Sequence, residues 1–265
     1  MWLIVAGAVV VLSGGLCVGL RVFSADVYDL VIVWMTARWY AVVFEKLPEG
    51  ARVLDVGVGT ATALAKNAQL LLQKRLTVVG FDYEQAYVQK AQQVLKDAGL
   101  DKVPPEGTEG YRKGDRYCRV VQRSVYDSAL GELCFDDPDS QVAKASSRAV
   151  PETLRFDAAY FSGSLTVLPD PPAALKAMRP LLRTTGRIYI TQTFQKSHSS
   201  IIAALKPLLK YVTTIDFGQL TTEADLDKIL EKASGFRVIE NSPIAGSVDT
   251  PLQTARLIIL EITDD

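Results

Sequence analysis

VLDVGVGTATAL, Val53 to Leu64, reads as a buried strand that ends in an acid, turns on Gly57 and Gly59, and runs straight into a helix. Each residue type has a physical reason. Glycines let the backbone turn sharply and approach a ligand closely, and the helix behind them presents free N–H groups. Strand, glycine turn and helix are common to dinucleotide sites, but two details oppose that reading here. The third glycine of G-x-G-x-x-G falls on Thr62, and Asp55, two residues before the first glycine, would repel a pyrophosphate lodged in the turn. A carboxylate in that place suits a cationic ligand. The next apolar run, LTVVGFD, ends in Asp82, an acid suited to accepting from two ribose hydroxyls. Together the two segments predict a nucleoside-bearing ligand at the C-terminal edge of the first two strands.

Outward from this stretch, short β-branched runs alternate with longer helical patterns, the signature of βαβ units around a mostly parallel sheet. The predicted strands are Ala51 to Val56, Leu76 to Phe81, Cys118 to Arg123, Phe156 to Phe161, Arg187 to Phe194, Phe236 to Asn241 and Ala255 to Ile262. Only a loop with Pro243, Gly246 and Pro251 separates the last two, so they pair antiparallel, because a parallel crossover needs a dozen or more residues. The expected fold is α/β: a Rossmann-like, doubly wound, seven-stranded mixed sheet with an antiparallel last strand, plus an N-terminal hydrophobic helix. Residues 99–114, with Pro104 and Pro105, and residues 136–152, rich in Ser, Ala and charge, read as surface insertions.

Composition narrows the chemistry. With 29 basic and 30 acidic residues the net charge is -1, so no summed positive field gathers nucleic acid, and such a partner is not expected. Cys17, Cys118 and Cys134 form no CxxC and the single histidine is His198, which argues against a metal site.

Met1 to Leu20 carries no charged side chain, and twenty helical residues at about 1.5 Å each reach across one hydrocarbon core. No basic segment precedes the run, and a cut after Ala25 would put bulky Phe23 where small residues are preferred, so an uncleaved anchor over residues 1–22 is expected, with one domain over 23–265. Arg21 and Arg38 follow the run, which places that domain on the cytosolic side of a membrane. The second apolar stretch, Tyr28 to Leu47, is interrupted by Asp29 and Arg38 and reads as a helix covering the core, with an interfacial contact as the other reading.

The region from Tyr28 to Ile262 resembles the class I S-adenosylmethionine-dependent methyltransferase superfamily, in particular its small-molecule, lipid and quinone methylating branch. Tyr28-Asp29, VLDVGVGTA, VVGFDYE and the block FDAAYFSGSLTVLPDPPAALKAMRPLLRTTGRIYITQTF carry the resemblance. It implies S-adenosyl-L-methionine as the methyl donor, whose ammonium and sulfonium match the acid beside the turn. It places Asp55, Gly57 and Gly59 against the methionine portion, Asp82 on the ribose, Ser124 and Val125 near the adenine, and Tyr160 at the end of strand four, with Thr60, Tyr83 and Tyr160 also counted among the cofactor-binding residues. Two positions depart from the family pattern: Ala61 stands where a glycine is common, and Ser124 where an aspartate is common. Ser124 accepts without charge assistance, loosening adenine binding by roughly 1 kcal/mol.

The chain reads Tyr160-Phe161-Ser162-Gly163 after strand four, with no NPPY-like segment, which disfavours methylation of amide or nucleobase amines. Alignment of nucleophile and methyl supplies much of the rate in such a displacement. His198, after strand five, is the candidate base where one is needed. The expected activity is methyl transfer to a small, lipophilic acceptor at a membrane surface. The alternatives are a catalytically silent binding protein of the same fold and an NAD-dependent dehydrogenase.

Overall fold

The computed structural model describes residues 33–105, 108, 111, 115–135, 150–196 and 221–263. The expected anchor over 1–22, Tyr28-Asp29 and His198 lie outside these residues. Among the described residues no helix is long and apolar enough to cross a membrane.

The chain enters on helix α1 (residues 33–46), the described part of the second apolar stretch. Trp39, Tyr40, Val43, Phe44 and Leu47 are buried at near-helical spacing, so this helix covers the core with one stripe. Strand β1 (Arg52–Val56) follows, then the glycine turn, α2 (Thr62–Ala65), α3 (Ala68–Gln73), β2 (Thr77–Asp82), α4 (Gln85–Asp97) and β3 (Cys118–Gln122). The second half contains β4 (Phe156–Ser162), α5 (Pro171–Met178), β5 (Leu182–Gln195), α6 (Glu223–Ala233), β6 (Phe236–Pro243) and β7 (Gln253–Ile262).

The seven strands form one mixed sheet in the order β3-β2-β1-β4-β5-β7-β6. β7 runs antiparallel to both β5 and β6, and the second of these pairings is the one the short loop between the last two strands requires. The chain winds outward from β1 through β2 to β3, then crosses to the other side of β1 to place β4. The edge between β1 and β4 is therefore the topological switch point, where open α/β sheets bind ligands outside the strand C-termini.

Every residue of β1 is buried because helices cover both faces of the sheet. Val53, Val78, Ala158 and Tyr189 pack on the side of α1 and α4. Leu54, Val79, Ala159 and Ile190 face Leu175, Met178 and Leu226 of α5 and α6. Alternation along each strand thus builds two cores from one sheet.

Two local features differ from the sequence expectation. The helix after the glycine turn is not continuous: it stops at Ala65, and α3 starts afresh at Ala68. Asn67, between the two, donates from Nδ2 to the carbonyls of Ala63 and Ala37, both at 2.9 Å, diverting this segment onto α1. The segment from Gly99 does not begin as a surface loop either. Leu100 is fully buried and its carbonyl accepts the Cys118 N–H at 2.8 Å, extending the strand connection inward. Buried Arg52 draws together the flanks of both insertions: its guanidinium donates to the carbonyls of Leu154 and Cys134 and lies 3.9 Å from Asp115.

Candidate functional site

The glycine turn sits at the C-terminal end of β1. Gly57 has φ +73° and Gly59 φ +58°, in the left-handed region that glycine enters without a steric penalty. The two are constrained differently. A Cβ on Gly57 would lie 2.8 Å from Cβ of Ser164, while one on Gly59 would meet nothing within 4 Å. Gly57 is therefore glycine for packing, and Gly59 borders open space. Ala61, where a third glycine is common among the proteins this chain resembles, also takes a left-handed φ of 54°. It adopts that backbone despite its methyl group, at a cost of roughly 1 kcal/mol.

Long-range bonds hold the turn in shape. The N–H groups of Gly57 and Val58 donate to the Phe81 carbonyl at 3.0 and 3.2 Å. The Ser164 hydroxyl donates to the Val56 carbonyl from the loop after β4. Asp82, at the end of β2, accepts the Gly59 N–H on Oδ2 at 3.0 Å and the Glu84 N–H on Oδ1 at 2.9 Å. Two carboxylate oxygens offer about four acceptor directions, so Asp82 braces the turn and keeps lone pairs for a diol.

Asp55 is wholly buried. Its Oδ2 accepts from the Tyr40 hydroxyl at 2.6 Å, while among the described residues its Oδ1 has no hydrogen-bond partner. Burial pushes the carboxyl up from 3.8 to about 7; the Tyr40 bond opposes the rise and the charge of Asp82 adds to it. Burial also lifts the Tyr40 phenol well above 10, so it stays protonated and donates.

An unpartnered carboxylate oxygen of this kind is costly unless a ligand completes it. A cation matches it, and the open space at Gly59 with the spare lone pairs of Asp82 accommodates a ribosyl sulfonium. The residues present therefore fit S-adenosyl-L-methionine.

The other expected cofactor residues occupy different settings. Thr60 hydrogen-bonds Thr62 through their hydroxyls at 2.9 Å within the turn. Tyr83 is exposed beside Asp82. Ser124 caps a tight turn by accepting the Tyr126 N–H at 3.2 Å, and Val125 is buried beneath it. Tyr160 has no exposed surface; its ring packs edge-on against Tyr40 at 5.0 Å and its hydroxyl lies 2.9 Å from that of Thr191. It belongs to the packing under Asp55 rather than to the open side of the turn.

Three residues that sequence reasoning did not select complete the geometry: Tyr40, Ser164 and Tyr126. The Tyr126 hydroxyl donates to the Asp170 carbonyl at 3.1 Å and accepts the Asp170 N–H at 2.8 Å. Asp170 in turn caps α5 by accepting from Ala173 at 3.0 Å. The loop after β3 is thereby tied to the loop after β4. A tyrosine in an otherwise apolar helical stripe is a signal that its hydroxyl meets a partner inside the fold, though it does not name the partner.

Among the described residues no group of His, Cys, Asp or Glu could hold a metal ion.

Residues 33–241 match the protein family described as a methyltransferase domain. The chain is 24% identical over 199 residues to the phosphatidylethanolamine N-methyltransferase of Cereibacter sphaeroides, covering 74% of this chain and 75% of that protein. Its fold is similar to that of a SAM-dependent methyltransferase from Aquifex aeolicus, with a TM-score of 0.56 at 15% identity, over 91% of this chain and 98% of the other. It is also similar to the O-methyltransferase NcsB1 of neocarzinostatin biosynthesis, solved with S-adenosyl-L-homocysteine, with a TM-score of 0.51 at 16% identity. There the match covers 84% of this chain and 53% of NcsB1, so this chain spans about half of that protein's length.

Proposed function

Since the chain belongs to the methyltransferase domain family and is a class I S-adenosylmethionine-dependent methyltransferase, we propose that it methylates a small lipophilic acceptor at a membrane surface. The observation that carries the cofactor's placement is the buried, unpartnered Oδ1 of Asp55 beside the Gly57–Gly59 turn. Bound there, S-adenosyl-L-methionine supplies an electrophilic methyl group to an in-line nucleophile and leaves as the thioether. The chain's own part is to bind and orient: Asp55 faces the cationic end, Gly59 gives the backbone room, and Asp82 receives the ribose hydroxyls. Ser124 and Val125 border the adenine. In such a displacement, alignment itself lowers the barrier by several kcal/mol, so a binding cradle of this kind suffices for a reactive acceptor.

Two observations support a lipophilic acceptor. The relative from Cereibacter sphaeroides is named for a phospholipid substrate, and Met1 to Leu20 is a charge-free run long enough to anchor the chain beside such substrates. Anchoring raises the local concentration of membrane-borne acceptors. Arg21 and Arg38, on the C-terminal side of that run, set the domain toward the cytosol. His198 is the proposed base for an acceptor that must lose a proton.

Calorimetry with S-adenosyl-L-methionine tests the cradle: binding is expected for the wild type and at least a roughly tenfold loss for Asp82→Ala. Unchanged affinity in that variant sinks the ribose assignment. Incubation with methyl-labelled cofactor and a phospholipid extract, phosphatidylethanolamine included, tests the acceptor, and label confined to water-soluble products rejects it.

A further inference from the structure

Large apolar side chains stand exposed around the C-terminal edge of the sheet. On the cofactor side are Tyr83, directly after β2, and Tyr126, in the loop after β3. A second set has no place in the cofactor cradle: Trp34 is 60% exposed, Val167 61% and Leu252 53%. They come from three separate segments that the topology gathers over β4, β5 and β7. Val167 ends the short turn after β4. Trp34 precedes Met35, whose sulfur accepts from Thr193 near the end of β5. Leu252 precedes the first residue of β7, which pairs with Gln195 at the end of β5, and its carbonyl accepts the Lys196 N–H at 2.9 Å. Three adjacent strands span about 10 Å of sheet, so the three residues lie over neighbouring strand ends at its C-terminal edge.

Two further facts say what covers this lip. Lys196 pairs with Asp249 at 2.7 Å, so this ion pair beside Leu252 carries no net charge. The charge-free run Met1 to Leu20 reaches Trp34 through only residues 21–33, so the chain enters the fold on this same edge. Trp34 of the lip is thus only about fourteen residues along the chain from a segment able to sit in a bilayer.

We propose that Trp34, Val167 and Leu252 seat the acceptor side of the mouth on an electrically neutral phospholipid bilayer, so that the acceptor enters directly from the membrane. The inference rests on the lipophilic-acceptor reading and adds to it the surface and the direction of entry. Large apolar side chains at the level of the headgroups hold a surface in place through buried apolar area.

The test uses the full chain with Cys17→Ser, carrying an environment-sensitive fluorophore on Val167→Cys or, as the control, on Leu72→Cys of α3 at the opposite edge. Cys118 and Cys134 are buried and do not compete for the label. Phosphatidylcholine vesicles are expected to blue-shift the label at position 167 and leave that at 72 unchanged. In unlabelled chain, the combined Trp34→Ser, Val167→Ser and Leu252→Ser variant should lose about tenfold or more in kcat/KM for vesicle-borne acceptor. Its cofactor affinity and its turnover of detergent-dispersed acceptor should stay at wild-type values. No shift at 167, equal shifts at both positions, or a shift seen only with anionic vesicles would overturn the proposal. The last result would move the contact to Lys176, Lys228 and Lys232, which line a groove between α5 and α6. A shift at 167 without methylation of any lipid supports the lip and rejects the acceptor class. Lipid methylation that survives the triple substitution, with no shift, does the reverse.

Discussion

The hydroxyl of Tyr40 donates to Oδ2 of Asp55 at 2.6 Å, joining the first helix to the end of the first strand inside the core. The helix that covers the sheet therefore also sets the electrostatics of the proposed cationic subsite. Among the described residues Tyr40 is the sole donor found for a carboxyl whose other oxygen is buried and unpartnered.

Removing that donor should make cofactor binding more dependent on pH. The Tyr40 bond holds the Asp55 carboxyl down against its burial, so Tyr40→Phe lets it rise above about 7. At pH 7 the variant then holds more neutral carboxyl, and calorimetry should show several-fold weaker cofactor binding. Raising the pH to 9 should restore part of that loss. A loss of equal size at both pH values would show that the hydroxyl acts by packing alone.

The same carboxyl gives the ligand-free protein a characteristic stability profile. Its folded value of about 7 exceeds the ordinary 3.8, so the folded state binds the proton more tightly. Its contribution to stability is fully present below about pH 4 and is lost as the pH rises toward and through 7, a change on the order of 4 kcal/mol. Asp55→Asn cannot titrate and should flatten this part of the profile in denaturant melts between pH 5 and 8. It should also abolish measurable cofactor binding. A decline with pH as steep in the variant as in the wild type would assign it to other groups.

The two turn glycines should separate stability from binding. Gly57→Ala forces a Cβ to 2.8 Å from Ser164 at a left-handed φ, and is expected to cost more than about 2 kcal/mol in denaturant midpoint analysis. Gly59→Ala carries only the backbone penalty of about 1 kcal/mol, since the space beside it is open. That open space is the cofactor's in the proposed arrangement, so Gly59→Ala should lose at least tenfold in affinity while staying folded. Normal affinity in Gly59→Ala would place the cofactor elsewhere.

Tyr126→Phe removes both bonds between the loop after β3 and Asp170. A stability loss of about 1 to 2 kcal/mol is expected, with faster hydrogen exchange at the Asp170 amide. Exchange at Asp170 unchanged from wild type would mean that α5 holds this loop without the tyrosine.

The sheet was legible in the sequence. All seven predicted strands lie at the observed places, within a residue or two at each end except that β5 starts earlier, at Leu182, because β-branched apolar runs and glycine punctuation leave a strong local signal. The antiparallel last strand followed from the length of one loop. Missed features were those in which a local pattern competes with a distant partner: the break at Lys66-Asn67 comes from an amide reaching back to Ala37, and Leu100 is buried by pairing with Cys118. The acids Asp55 and Asp82 were visible as residue types. Their partners were not, since Tyr40 stood within a run read only as apolar covering and Ser164 within a connecting loop.

The amino-acid order by itself determined where the strands lie along the chain, the position of the glycine turn, and the presence of acids at the ends of β1 and β2, because these depend on apolar runs and glycine placement along the chain. Only the tertiary structure decided that Asp55 is a buried carboxyl completed on one oxygen by Tyr40 and open on the other. Desolvation and pairing arise from groups far apart in sequence, and they act only once helix α1 lies across the sheet.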